Sequence, residues 1–265
     1  MSQFKYLQTD LDSRGILTVM LDRKPANAVD RDMYIEIADL FNHIDRVGEG
    51  VRVIVLGGTG KHFCAGNDLD EFASMTPENG TERMWRVREA FYAISGCAVP
   101  VIGAVHGAAL GTGISIAGAC DFVVADPDAS FGLPELTVGV MGGARHTARF
   151  APFPLVRRMY FTGKPMSARE LVAAGAYLIL SEPGKHVEEA TRLAARVATF
   201  SPTAVRVSKR ILDRIEWMDL ETGYKFEQEG TVRMSGHPDS KEALVAFREK
   251  REPRYLSDID LTMFD

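Results

Sequence analysis

The strongest constraint in this 265-residue sequence is the pairing of short, nearly continuous apolar runs with glycine-rich turns. VRVIVLGG (51–58), VPVIGAV (99–105) and CDFVVAD (120–126) are three such runs, and GILTVML (15–21) is a further β-branched one. A strand wetted on one face alternates apolar with polar residues. A run that does not alternate is buried on both faces, as in parallel sheets covered by helices. Between the runs the period changes. Behind Asp30, a natural N-cap, Met33, Ile37, Leu40, Phe41 and Ile44 recur at helical spacing, which predicts a helix from about Arg31 to Arg46. A second helix is expected over about Glu82–Ile94. Strands alternating with helices specify an α/β fold.

After about Phe150 the pattern turns helical. Ser167–Glu170 has capping-box spacing, Ser201 followed by Pro202 reads as an N-cap with proline at the first helical position, and Asp239 with Glu242 repeats the capping-box spacing. The face carrying Ile211, Leu212, Ile215 and Met218 is too apolar for a lone short helix and predicts a partner: another helix, the core or a second subunit. A boundary near residue 200 divides a core, 1–200, from a helical C-terminal region, 201–265.

A formal charge of −5 argues against nucleic acid as a partner, because phosphate backbones are bound by basic surfaces. An anionic ligand would have to be held by backbone N–H groups or by a few local cations. Cys64, Cys97 and Cys120 lack C-x-x-C spacing, so they read as reduced thiols of a cytoplasmic protein, and no Cys/His pairs suggest structural zinc. The first fifteen residues have no apolar stretch of the secretory kind, and no run is long enough to predict a membrane span.

Chemistry belongs where glycines interrupt the strands: 57–69, 106–121 and 131–146. GTGKH resembles a P-loop, but Val55 stands where its first glycine would be and His62 where Ser or Thr would be. GAALGTG has the wrong glycine spacing for a dinucleotide turn. Gly111-Thr112-Gly113 instead opens a small-residue helix, 114–119, whose first N–H groups lack partners. Ala65-Gly66-Asn67 is a second turn after an apolar strand. Two such turns converging on one carbonyl oxygen would form an oxyanion hole; taken singly, each also serves tight strand–helix packing.

In order along the chain, these segments (HFCAGNDL, PVIGAVHGAALGTG, CD, SFGLPE and GV) resemble the crotonase, or enoyl-CoA hydratase/isomerase, superfamily, and the likeness extends from PANAV (25–29) to SKEALVAFREKRE (240–252). The resemblance implies a spiral of ββα units with a helical C-terminal region that builds a trimer or a dimer of trimers. It implies an acyl-CoA thioester as substrate and no cofactor or metal beyond the CoA moiety. It implies that the thioester oxygen accepts from the backbone N–H groups of Asn67 and Thr112. It places CoA-binding positions at Ala26, Ala65, Gly66, Asp68, Leu69 and Gly111, with Lys250 near a CoA phosphate.

Hydratases of the family use two glutamates. Here the first position is Ser115 and the second is Glu135. Ser115 is no carboxylate base but can hold a water, whereas Glu135 can move protons, helped if an apolar pocket raises its pKa. Hydration, or hydration with carbon–carbon cleavage, is therefore expected, with Δ3–Δ2 isomerisation by Glu135 alone, or thioester binding without turnover, as alternatives. Gly143 stands where dienoyl-CoA isomerases carry an aspartate. Arg145-His146 replaces the usual glycine pair, so these bulky groups would narrow or polarise the acyl pocket. His146 could assist in proton transfer, while His62, His106 and Cys64 read as loop and packing residues.

Overall fold

The computed structural model describes residues 4–256 and 258–260. β1 (Leu7–Leu11) and β2 (Ile16–Leu21) form an antiparallel pair, followed by α1 (Arg31–Asn42). β3 (Val53–Gly58) lies parallel to β2 and leads to α2 (Leu69–Ala73) and α3 (Pro77–Ser95). β4 (Val101–Val105), β5 (Ala108–Leu110) and α4 (Thr112–Ala119) follow. Next come β6 (Phe122–Ala125), β7 (Ser130–Gly132), a 3-10 turn over Glu135–Val138, α5 (Ala144–Thr147) and α6 (Phe153–Thr162). β8 (Met166–Ser167), α7 (Ala168–Ala173), β9 (Ile179–Leu180) and α8 (His186–Val197) precede α9 (Pro202–Ile215), α10 (Leu220–Ser235) and α11 (Pro238–Glu249).

One sheet has the order β1-β2-β3-β4-β6-β9, and a smaller one the order β5-β7-β8. Successive passes of the chain place one strand in each sheet before a helix returns. β4-β5-α4 and β6-β7 with the helices after it are two such passes, and β3 with the segment around Cys64, bridged to Ala109 of β5, is another. This is the expected ββα spiral. Its central strands are covered on both faces. Ile54 and Leu56 enter the main core, while Val53, Val55, Ile102, Ala104 and Val124 pack under Ala190 and Ala194 of α8. The small side chains on α8 let the helix approach the sheet closely.

Local signals mostly hold, with shifted ends. The Asp30 side chain accepts from the Met33 N–H at 2.9 Å, capping α1. The helix stops at Asn42, because His43 leaves helical geometry and only a 3-10 turn, Ile44–Arg46, follows. α3 begins five residues before Glu82, with Pro77 in its first turn and Asn79 Oδ1 accepting from the Thr76 N–H. Ser167 and Ser201 cap α7 and α9 as expected. The cap expected at Asp239 is corrected: His237 caps α11 through Nδ1, with Pro238 in the first turn. Asp239 is buried and accepts from Ser201 Oγ at 2.5 Å and from the Leu256 N–H at 3.0 Å, tying α11 to the start of α9.

The apolar face of α9 meets α10 over glycines. A Cβ on Gly230 would stand 2.1 Å from Ile211 Cδ1, and one on Gly223 would stand 3.6 Å from Ile215 Cβ. α9 is also anchored to the first 200 residues. Lys209, 3% exposed, lies 3.0 Å from Asp121 and 2.7 Å from Asp213, and donates to the Ser95 carbonyl. The expected C-terminal region includes residues 257 and 261–265, which lie outside the described residues. No helix among the described residues is long and apolar enough to cross a membrane.

Candidate active site

The two glycine turns are brought side by side by main-chain pairing. The Cys64 N–H donates to Ala108 O at 2.9 Å and the Leu110 N–H donates to Cys64 O at 3.0 Å. A Cβ on Gly113 would lie 2.1 Å from Cys64 O, so only glycine permits this approach. The same pairing sets Gly66 Cα 3.9 Å from the point where a Gly111 side chain would begin.

Each turn presents one N–H with no described acceptor. Thr112 opens α4, so its N–H has no carbonyl a turn before it. Asn67 forms a parallel bridge with Val29, in which Val29 donates to Gly66 O at 2.9 Å and Asp68 donates to Val29 O at 3.0 Å. In that pattern the N–H of residue 67 points away from Val29. The two amides therefore sit on adjacent turns, each without a described acceptor.

Glu135 reaches the same place from the third glycine segment. Its Oε1 lies 3.7 Å from the would-be Cβ of Gly111 and 3.0 Å from that of Gly143. Ser115 Oγ, on α4, lies 3.1 Å from the Gly143 point, so acid and hydroxyl face one another above a residue with no side chain. Ser115 Oγ donates to Gly111 O at 3.1 Å, which leaves its lone pairs to accept from elsewhere. Gly143 has φ +74° and a Cβ there would also strike Leu133 at 2.6 Å, so the glycine is required twice over. Glu135 Oε2 is buried and has no partner among the described residues. Burial pushes its carboxyl up to about 7.

From Gly143 a cavity of about 780 Å³ opens outward, walled by Val87, Phe91, His146 and Trp217. Arg145 stacks its guanidinium 4.2 Å from the Trp217 ring, and His146 packs edge-on against Phe91 at 5.0 Å. Burial, then the charges of Arg149 and Arg145, hold the His146 imidazolium below its usual range.

The remaining expected positions divide. Ala65 donates to Ala26 O at 3.0 Å, so these two sit together beside the first turn. Leu69 is 65% exposed at the start of α2. The Asp68 carboxylate is already engaged: it caps α2 by accepting from the Glu71 N–H at 3.0 Å and pairs with Arg23 at 2.8 Å. Lys250 stands exposed at the end of α11, and no described contact joins it to either turn. His62 Nδ1 accepts from the Ala108 N–H, and His106 Nε2 lies 3.0 Å from Gly60 O, so both lace the loop after β3 to β5. Cys64 is buried, and burial pushes its thiol up to about 12, too high for a nucleophile at neutral pH.

Two residues escaped sequence reading. Tyr34 is buried on α1, with its hydroxyl 2.6 Å from Asn67 Oδ1 and 2.7 Å from Thr112 Oγ1. Arg23 pairs with both Asp30 and Asp68, the caps of α1 and α2. A tyrosine beside the apolar stripe of α1 was the available signal, since a buried phenol needs a polar partner.

Comparison with known proteins places the chain in a family. The family profile for enoyl-CoA hydratase/isomerase matches residues 12–258. A (7aS)-7a-methyl-1,5-dioxo-2,3,5,6,7,7a-hexahydro-1H-indene-carboxyl-CoA hydrolase of Rhodococcus jostii is 33% identical over 244 residues, covering 92% of this chain and 94% of that protein. The short-chain-enoyl-CoA hydratase of Clostridium acetobutylicum is 30% identical over 247 residues, covering 91% and 95%. The structure of Pseudomonas aeruginosa DspI superposes with a TM-score of 0.90 at 28% identity, covering 97% and 98%. The spiral fold, the paired turns and the match along almost the whole chain make this protein a member of the enoyl-CoA hydratase/isomerase, or crotonase, family.

Proposed function

We propose that the protein binds an acyl-CoA thioester with its carbonyl oxygen accepting from the Asn67 and Thr112 N–H groups, and that it hydrates a 2-enoyl-CoA with Glu135 as acid and base. The observation that carries this reading is the Glu135 carboxyl, held at about 7 by burial, with one oxygen unpartnered and the other facing Ser115 across Gly143. A water held by Ser115 Oγ gives a proton to Glu135 as its oxygen bonds to C3. The C2–C3 π electrons move toward the carbonyl, and the two amides stabilise the resulting enolate. The proton now on Glu135 passes to C2, which completes the addition of water. The aromatic cavity beyond Gly143 takes the distal part of the acyl group, and Lys250 is a proposed contact for a CoA phosphate.

Isomerisation is the second reading. Ser115 stands where a second carboxylate would be, and one carboxyl suffices to carry a proton from C2 to C4. Turnover of a panel of 2-enoyl, 3-enoyl and aryl-propenoyl CoA thioesters in H₂¹⁸O decides between them. Label at C3 is the expected result. Double-bond migration without label overturns hydration in favour of isomerisation, release of a shorter acyl-CoA identifies cleavage after hydration, and binding without turnover identifies a thioester-binding protein. The exposed apolar residues Leu220 and Val232 of α10 and Phe247 of α11 support self-association, for which the family resemblance implies a trimer or a dimer of trimers.

A further inference from the structure

We propose that Tyr34 is a positioning residue for the two main-chain donors: by tying the side chains of Asn67 and Thr112 together, it fixes the spacing and aim of their N–H groups. This role rests on the thioester reading above and adds to it a residue from outside both turns. The donor direction follows from the chemistry of the three groups. Asn67 Oδ1 can only accept, so the phenol donates to it at 2.6 Å. The phenol has one proton, so the Thr112 hydroxyl donates in turn to Tyr34 at 2.7 Å. The chain Thr112 to Tyr34 to Asn67 thus has one sense, and each bond polarises the next.

The tie has a fixed anchor. Tyr34 is 2% exposed and meets Phe91 edge-on at 6.3 Å. The first turn of α1 is held by its Asp30 cap, and Arg23 joins Asp30 to Asp68, the residue after Asn67. Burial keeps the phenol neutral and able to donate. Oxyanion donors stabilise charge only when both reach about 2.7–3.1 Å from the oxygen, so a phenol that sets their separation acts on the reaction without touching the substrate.

The test uses 4-(dimethylamino)cinnamoyl-CoA, a thioester with an amino donor at one end and the carbonyl acceptor at the other. Its absorption moves to the red as the carbonyl oxygen is more strongly hydrogen-bonded. Wild-type protein should bind it with a red shift. Tyr34→Phe should keep the dissociation constant within about threefold while losing at least half of that shift. In an Asn67→Ala/Thr112→Val background, adding Tyr34→Phe should cost no further shift. A full red shift in Tyr34→Phe overturns the proposal, as does a further loss in the double-substituted background. Wild-type binding without a red shift, or no wild-type binding, overturns the thioester reading itself and this role with it. Should Tyr34→Phe fail to fold, the double variant alone carries the test, because a full red shift without those two side chains overturns the tie.

Discussion

Asp68 and Glu135 are carboxylates flanking the same pair of turns, and the fold treats them in opposite ways. Asp68 accepts from the Glu71 N–H and pairs with Arg23, and these contacts hold its carboxyl below the usual range. Glu135 has an unpartnered buried oxygen and is raised to about 7. The first acid is spent on holding the site together, whereas the second is left able to gain and lose a proton near neutral pH. The difference lies in burial and hydrogen-bond partners rather than in residue type: burial dominates at Glu135, and the Glu71 N–H and Arg23 dominate at Asp68.

Four substitutions test that contrast, beginning with the largest expected effect. Glu135→Gln should lower turnover about 10²–10⁴-fold with the fold intact, measured as kcat beside circular dichroism. It should also raise the melting temperature above pH 4.5. Because the folded wild type holds this proton up to about pH 7 while the unfolded chain releases it near 4.5, wild-type stability falls as pH rises through that window. The gap between the two melting curves should therefore be absent below pH 4.5, open between 4.5 and 7, and stay constant above. Gly143→Ala places a methyl between Glu135, Ser115 and Leu133 at φ +74°. Turnover should fall about 10²-fold, with roughly 1–3 kcal/mol lost in denaturant unfolding.

Ser115→Ala should slow hydration about tenfold while leaving double-bond migration nearly untouched, as judged by parallel assays with 2-enoyl and 3-enoyl thioesters. Equal losses in both would remove its water-holding role. Asp68→Ala should cost about 1–2 kcal/mol of stability through the lost cap and ion pair, yet change turnover only a few-fold. Since its folded pKa is depressed, this contribution is present above about pH 4 and disappears as pH falls below, so the Asp68→Ala stability deficit should shrink in acid.

The central strands were legible because burial on both faces removes polar alternation, as in Val53–Gly58. The three strands of the small sheet were not, since segments of two or three residues are too short to show a period of two. The start of α3 was hidden by PENG, which reads as a turn, although Pro77 and Asn79 serve the helix start. Asn67, Thr112, Ser115 and Glu135 could be named from motifs. That they meet at Gly66, Gly111 and Gly143 came only from the fold. Tyr34 is separated from its partners by 33 and 78 positions, and helical spacing showed its neighbours rather than its hydroxyl.

On the proposed reading both turns offer main-chain rather than side-chain donors, which bears on which mutations the site can survive. Replacing Asn67 or Thr112 changes what hangs from the backbone but leaves each N–H in place, unless the newcomer is proline. Side chains at these two positions are thereby free to drift or to be recruited for another task. In this chain the Tyr34 hydroxyl joins the two side chains, so on the proposed reading a phenol on a neighbouring helix becomes a further point at which the site can be broken.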